Sequence, residues 1–240
     1  MLRAAVAAGA LLAASAASAA TIADFSLNGD LNNAAGGAIT LTNNGSLGAN
    51  GITFDANGGP TLNNLGVLSA YTLETRFSFS DIGGYRKIAD FFGRGFDHGL
   101  YAYGDTLGFY GYSNSFSGGA VFDAGEFVTL TLARSATGLL TGSINGTQQF
   151  SFTDSSNFAV IDGALHLFRD DTYTGGSEAS RGFVDYIRLA DAGGFTPAPG
   201  AGAVPEPATW AMMLLGFFGL GATLRARRGG RQQGSAALAA

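Results

Sequence analysis

The chain has no cysteine, which excludes disulfide scaffolds, thiolate catalysis and cysteine-based zinc sites. Charge is also scarce, since only 13% of the 240 residues are Asp, Glu, Lys or Arg. A helical bundle needs Lys, Glu and Leu at helical spacing, and no long 3.6-residue period runs through the middle of this sequence. What is abundant is glycine (38 residues), phenylalanine (19) and tyrosine (8). That mixture suits short strands joined by Gly, Asn, Asp and Ser turns. A hydrophobic fraction of 46% supplies a core and argues against disorder.

The two ends read as addresses. Residues 1–19 form a signal peptide: Arg3 gives the positive start, Ala4 to Ala14 the apolar stretch, and Ala17-Ser18-Ala19 the small residues that signal peptidase requires. Residues 192–204, rich in Gly and Pro, form a linker that cannot bury a core. Residues 208–224 carry no charge. Seventeen residues at about 1.5 Å each reach roughly 26 Å, at the short end of what crosses a bilayer. Arg225, Arg227, Arg228 and Arg231 follow at once, and the positive-inside rule places them in the cytoplasm with the main domain outside. A disordered tail is expected over 232–240.

Ahead of that apolar helix stands Val204-Pro205-Glu206-Pro207-Ala208-Thr209-Trp210-Ala211. Together with the helix and the arginines, it resembles the PEP-CTERM sorting signal of Gram-negative bacteria, over residues 205–231. The resemblance implies recognition of Pro205, Glu206 and Pro207 by an exosortase-type membrane protease. It also implies a transient inner-membrane intermediate and a final place on the cell surface or in the extracellular matrix.

Arg3 and the four tail arginines account for five of the 13 basic residues, and Glu206 for one of the 18 acids. The stretch between the two ends is therefore left with a formal charge of about −9. Nucleic acid and anionic lipid are poor partners for such a domain.

Between residues 20 and 191 the dominant pattern is alternation. Thr72 to Phe79 and Phe127 to Ala133 alternate apolar with polar residues, as half-buried strands do. Leu139 to Phe152 breaks at Asn145-Gly146, a strong hairpin signal. Further strands are expected at Ala38–Thr42, Gly51–Asp55, Arg86–Phe92, Gly99–Tyr103, Thr106–Tyr112, Ala164–Arg169 and Gly182–Leu189. Ten or so short strands predict an all-β fold, an antiparallel β-sandwich. The segments Gly51 to Asp55, Tyr71 to Phe79, Phe127 to Gly146 and Arg181 to Leu189 also resemble concanavalin A-like jelly rolls of the laminin-G type, which implies that fold for the exported domain.

Three groups of residues are candidate sites. Gly104-Asp105 makes a two-residue turn that pairs 103 with 106 and 101 with 108, so Tyr101, Tyr103, Tyr110 and Tyr112 share one face. Such a face can stack on sugar rings, or it can bury against neighbouring strands. The loop bearing Asp170, Asp171 and Glu178 offers carboxylates to a hard cation, with Ca²⁺ as the possible cofactor; the plainer alternative is a solvated acidic loop. Asp185 shares the alternation of Phe183, Ile187 and Leu189, and needs a loop backbone or an arginine as partner.

Catalytic signatures are missing. Glu74, Glu126, Glu178 and Glu206 are the only glutamates, and none stands in the Glu-x-Asp-x-x-Glu spacing that gives strand-borne glycosidases a carboxylate pair. His98 and His166 have no nucleophile-elbow context. The expectation is a non-enzymatic protein of the cell surface or matrix that contacts polysaccharide. A purely structural matrix protein and a polysaccharide-cleaving enzyme are the alternatives.

Overall fold

The computed structural model describes residues 20–111, 116 and 118–191. The expected signal peptide, linker, Pro205-Glu206-Pro207 motif, 208–224 helix, terminal arginines and Tyr112 lie outside the described residues. Within them every regular element is a strand: β1 (Thr21–Phe25), β2 (Thr40–Thr42), β3 (Ser46–Gly48), β4 (Gly51–Phe54), β5 (Thr61–Leu68), β6 (Tyr71–Phe79), β7 (Tyr85–Asp90), β8 (Gly99–Tyr103), β9 (Thr106–Tyr110), β10 (Val128–Arg134), β11 (Leu139–Ile144), β12 (Thr147–Thr153), β13 (Ile161–Leu167) and β14 (Gly182–Asp191). Among the described residues no helix is long and apolar enough to cross a membrane.

The strands form two antiparallel sheets. The larger runs β12-β11-β10-β6-β14-β4-β3 with β1 added to β14, and the smaller runs β2-β5-β13-β7-β8-β9. Alternation dictates which side faces inward. In β10, Val128, Leu130 and Leu132 are buried while Thr129, Thr131 and Ala133 between them are partly exposed. These residues join Leu73, Phe77, Val184 and Ile187 of the large sheet, and Leu62, Leu165, Leu100 and Phe109 of the small one, in a single hydrophobic core.

Three strands escape the sequence pattern: β1, β3 and β5. In β5 the run Leu62-Asn63-Asn64-Leu65-Gly66 is interrupted, because Asn64 (φ 62°) and Gly66 (φ 62°) take left-handed backbone. The simple alternation is broken at those points, and Leu62 and Leu65 still reach the core. β14 corrects another expectation. A register shift between Val184 and Tyr186 where β14 pairs with β6 reverses the phase, so Val184, Ile187 and Leu189 face the core while Asp185 and Phe183 lie only partly buried. Asp185 accepts a hydrogen bond from Arg76 Nη1 at 2.6 Å, the arginine partner its position called for.

Phe168, one residue past β13, carries the chain into the acidic loop. Its φ of 56° is an uncommon conformation for a bulky residue. The ring offsets that cost by stacking on Phe54 at 4.7 Å and packing against Phe77 at 4.9 Å. The backbone turn fixed in this way sends Arg169, Asp170 and Asp171 alongside β7, with the Phe168 N–H donating to Ile88 O.

His166 shows how the interior answers to pH. Its Nδ1 lies 3.0 Å from Thr61 Oγ1. Burial, then the charges of Arg169 and Arg94, push its pKa down to about 4. An unfolded chain binds a proton near pH 6.5 that the folded chain refuses. Stability from this group is therefore lost as pH falls from 6.5 towards 4. We expect His166→Gln to lose about 1 kcal/mol less stability than the parent between pH 7 and pH 5, half the full linkage value because the imidazole is partly exposed. Urea midpoints at the two pH values measure this, and identical losses in both proteins would contradict it.

Candidate functional site

The β8–β9 hairpin has the register the turn demands. Tyr103 pairs with Thr106 and Tyr101 with Gly108, and Gly104 takes φ 56°, the positive value required at the first position of a II′ turn. β7 lies beside β8, pairing Tyr85 with Tyr103 and Lys87 with Tyr101. The outer face of the small sheet thus collects Tyr85, Lys87, Tyr101, Tyr103 and Tyr110, while Leu100, Ala102, Leu107 and Phe109 enter the core.

The tyrosines divide into two roles. Tyr103 (49% exposed) and Tyr110 (40%) present their rings to solvent, whereas Tyr101 is fully buried and is not part of an exposed face. Tyr85, which the sequence reading left out, sits among them, 4.4 Å from Tyr103, 5.8 Å from Tyr110 and 5.6 Å from Tyr101 between ring centroids. Phe116 closes the group, 5.9 Å from Tyr85. It packs against Gly108, where an added Cβ would fall 2.1 Å from its ring.

Beneath this surface lies Lys87, the only lysine in the sequence and completely buried. A register shift in β7 between Lys87 and Ala89 allows Ile88 and Ala89 both to enter the core and leaves Lys87 and Asp90 in contact at 3.6 Å. The ammonium has three hydrogens and uses all three. It donates to Asp171 Oδ2 at 2.9 Å, to His98 O at 3.2 Å and to the Tyr101 hydroxyl. Tyr101 in turn donates to Asp97 Oδ1 at 2.8 Å. The loop is held against β7 by the Lys87 N–H, which donates to Glu178 O, and by Asn57, which donates to Gly176 O and accepts from the Asp170 N–H.

Of the proposed cation ligands, Asp171 and Glu178 come together, with Asp97 as the third member; their oxygens lie within 4.8 Å of one another. Asp170 is committed elsewhere. Its Oδ2 accepts from the Glu178 N–H and the Thr174 hydroxyl. Asp170 and Asp171 are both fully buried, which corrects the picture of a solvated loop. Ca²⁺ wants six to eight oxygens at 2.3–2.6 Å. Here the carboxylates instead meet around a lysine ammonium that already bonds Asp171, so the residues present do not fit a calcium site.

The electrostatics follow from one cation shared among several acids. Burial pushes Asp171 up, but hydrogen bonds from Lys87 and Thr174 overcome it and hold the carboxyl at about 2. Asp97 and Glu178, half-buried and without such donors in number, are both raised, first by burial; Asp171 and Asp170 add to the shift at Asp97, and Asp97 and Asp170 at Glu178. Burial, then the hydrogen bond to Asp97, raises Tyr101 far above the ordinary phenol. Tyr85 is raised by burial and by the neighbouring Tyr103, Tyr110, Glu178 and Asp97, and the hydrogen bond from Tyr101 to Asp97 joins the rings to the carboxylates. Beyond His98, which stacks on Phe158 at 4.1 Å, a cleft of about 500 Å³ opens between Phe91, Phe92, Phe158 and Val160. It contains none of these charged groups.

Lys87, Asp97 and Tyr85 were missed from sequence. The one available signal was a single lysine placed directly before Ile88-Ala89 in a strand pattern.

Comparison with known proteins supports the address and the fold. Residues 203–228 match the PEP-CTERM protein-sorting motif; the chain carries that motif, which implies export in a Gram-negative bacterium and processing by exosortase, a membrane protease. No curated protein matches the chain. Among solved structures it is similar to domain 4 of AbnA, a GH43 extracellular arabinanase from Geobacillus stearothermophilus, in complex with arabinotriose. That likeness has 17% identity, 73% of this chain, 94% of that chain and a TM-score of 0.50. It is also similar to Trypanosoma rangeli sialidase, with 13% identity, 72% coverage of this chain and a TM-score of 0.53, over only 30% of the sialidase chain. These likenesses are of fold, in keeping with a concanavalin A-like sandwich.

Removing the lysine should expose the balance. Lys87→Met leaves Asp90 and Asp171 buried without a counter-charge, at a cost of roughly 3–5 kcal/mol at pH 7. Part of that loss should return at pH 4.5, where the unpaired carboxyls protonate. Chemical denaturation at both pH values reports it. A variant as stable as the parent at pH 7 would remove Lys87 from its organising role.

Proposed function

We propose that the exported domain is a non-enzymatic, carbohydrate-binding β-sandwich displayed at the cell surface or in an extracellular matrix. In this reading the chain passes through an inner-membrane intermediate with its C-terminus in the cytoplasm. The observation that carries the binding function is the aromatic surface of Tyr85, Tyr103 and Tyr110 on the outer face of the small sheet. Tyrosine offers a sugar both an apolar ring face and a hydroxyl, at the small entropic cost of two side-chain torsions. The rings lie over a rigid base, because Tyr101 and Lys87 below them are fully buried and hydrogen-bonded. The sorting motif supports the setting, since it implies an exported, exosortase-processed protein.

Polysaccharide cleavage is the second reading, favoured by the approach of Asp97 to Glu178. A working acid/base pair has environments that push the two carboxyls apart, one kept protonated and the other ionised. Here burial raises both carboxyls, so the pair lacks the opposed environments of an acid/base couple, and that supports the binding reading over cleavage.

Glycan-array and calorimetric binding of the full exported chain test the proposal. Tyr103→Ala and Tyr110→Ala should each weaken polysaccharide binding about tenfold, near 1.4 kcal/mol, without lowering thermal stability. Binding indifferent to both substitutions removes the site. Release of reducing ends that stops in Glu178→Gln would favour the enzymatic reading instead.

A further inference from the structure

The tyrosine surface has a charged border. Asp97 accepts from the hydroxyl of Tyr101, whose ring lies 5.6 Å from Tyr85 and 6.1 Å from Tyr110, and half-buried Glu178 brings its carboxylate within 4.8 Å of that of Asp97. Asp90, Asp170 and Asp171 lie fully buried behind them. Against five carboxylates the enclosed cation is Lys87, and all three of its hydrogens are already committed. Arg94 commits its Nε–H to the backbone oxygen of Asp170. Oδ1 of the buried Asp170 has no hydrogen-bond partner, and its charge bears on Asp97, Glu178 and Tyr101. The site therefore holds more negative charge than it neutralises, and the imbalance sits next to the exposed rings.

Resting on the carbohydrate-binding reading, we infer that this site takes an amine-bearing sugar, a glycan with free ammonium groups such as de-N-acetylated hexosamine, in preference to its acetylated or anionic counterparts. A sugar ring lying on Tyr103 and Tyr110 brings its substituents to the border where Asp97 and Glu178 stand. An ammonium there gains two charge-assisted hydrogen bonds and the attraction of the surrounding aromatic faces. It also supplies a counter-charge to two carboxyls whose ionisation is disfavoured first by burial and then by the neighbouring carboxylates. A carboxylated or sulfated glycan meets repulsion from the same groups, and an acetamide presents no charge to them. The titratable groups around the rim are Asp97 and Tyr101 from β8 and the turn before it, Glu178 from the loop, and, buried, Asp170 and Asp171 of the loop with Lys87 and Asp90 of β7.

Calorimetry with the full exported chain at about pH 6.5 and low salt tests the inference, using a glucosamine hexamer and an N-acetylglucosamine hexamer as probes. The glucosamine oligomer should bind at least tenfold more tightly, near 1.4 kcal/mol. Asp97→Asn and Glu178→Gln should each reduce that ratio towards one by weakening the glucosamine oligomer. Both substitutions replace a desolvated carboxyl with a neutral isostere, so the folded state should be kept; a thermal melt checks it. One molar NaCl should also collapse the ratio. If both probes bind with equal affinity and Tyr103→Ala weakens both, the aromatic site stands and the amine preference is overturned. A ratio that persists in both variants likewise overturns the assignment to Asp97 and Glu178. If neither probe binds the parent protein, the carbohydrate reading fails and the inference falls with it.

Discussion

The buried ammonium of Lys87 is the constraint on which this surface depends. A charge removed from water is tolerated only when it is paired and fully hydrogen-bonded. Meeting that condition draws together groups distant in sequence: Asp171 is 84 residues away and Tyr101 is 14. The loop from Arg169 to Arg181 is held over β7 as a consequence, and Tyr101 is fixed under the exposed rings. The same requirement explains why Asp97 and Glu178 are left over. One lysine satisfies Asp171 well, meets Asp90 at longer range, and leaves the two outer carboxyls short of positive charge.

Rigidity and charge thereby come from one arrangement. The core side of the small sheet anchors β7, β8 and β9 through Ile88, Leu100, Leu107 and Phe109, and the outer side uses polar pairing to present aromatic rings. Such a division lets the surface be precise in position without a deep cavity.

Much of the architecture was legible in the sequence because strand alternation is local. The β10 pattern, the Asn145-Gly146 hairpin and the 101–108 pairing all follow from residues within a few positions of one another. Irregularities were not legible. The shifts in β7 and β14 and the broken alternation of β5 depend on what the partner strand offers, and each changes which side chains face outward. The tyrosine face was half legible: Tyr103 and Tyr110 are exposed, but Tyr101 is buried because it serves Lys87, a long-range contact without local trace. In the acidic loop, Asp170 and Asp171 read as solvent-facing; the turn at Phe168, set by aromatic stacking in the core, carries them inward.

The central claim is that ligand is held on the rings of Tyr85, Tyr103 and Tyr110. Ring-selective NMR of the tyrosines during titration with oligosaccharide tests it most directly, and Tyr173, 77% exposed and on the acidic loop, serves as the internal control. The account predicts perturbation of the Tyr85, Tyr103 and Tyr110 ring resonances with Tyr173 unmoved. Saturable binding that leaves those three rings unchanged, or moves Tyr173 alone, would contradict it.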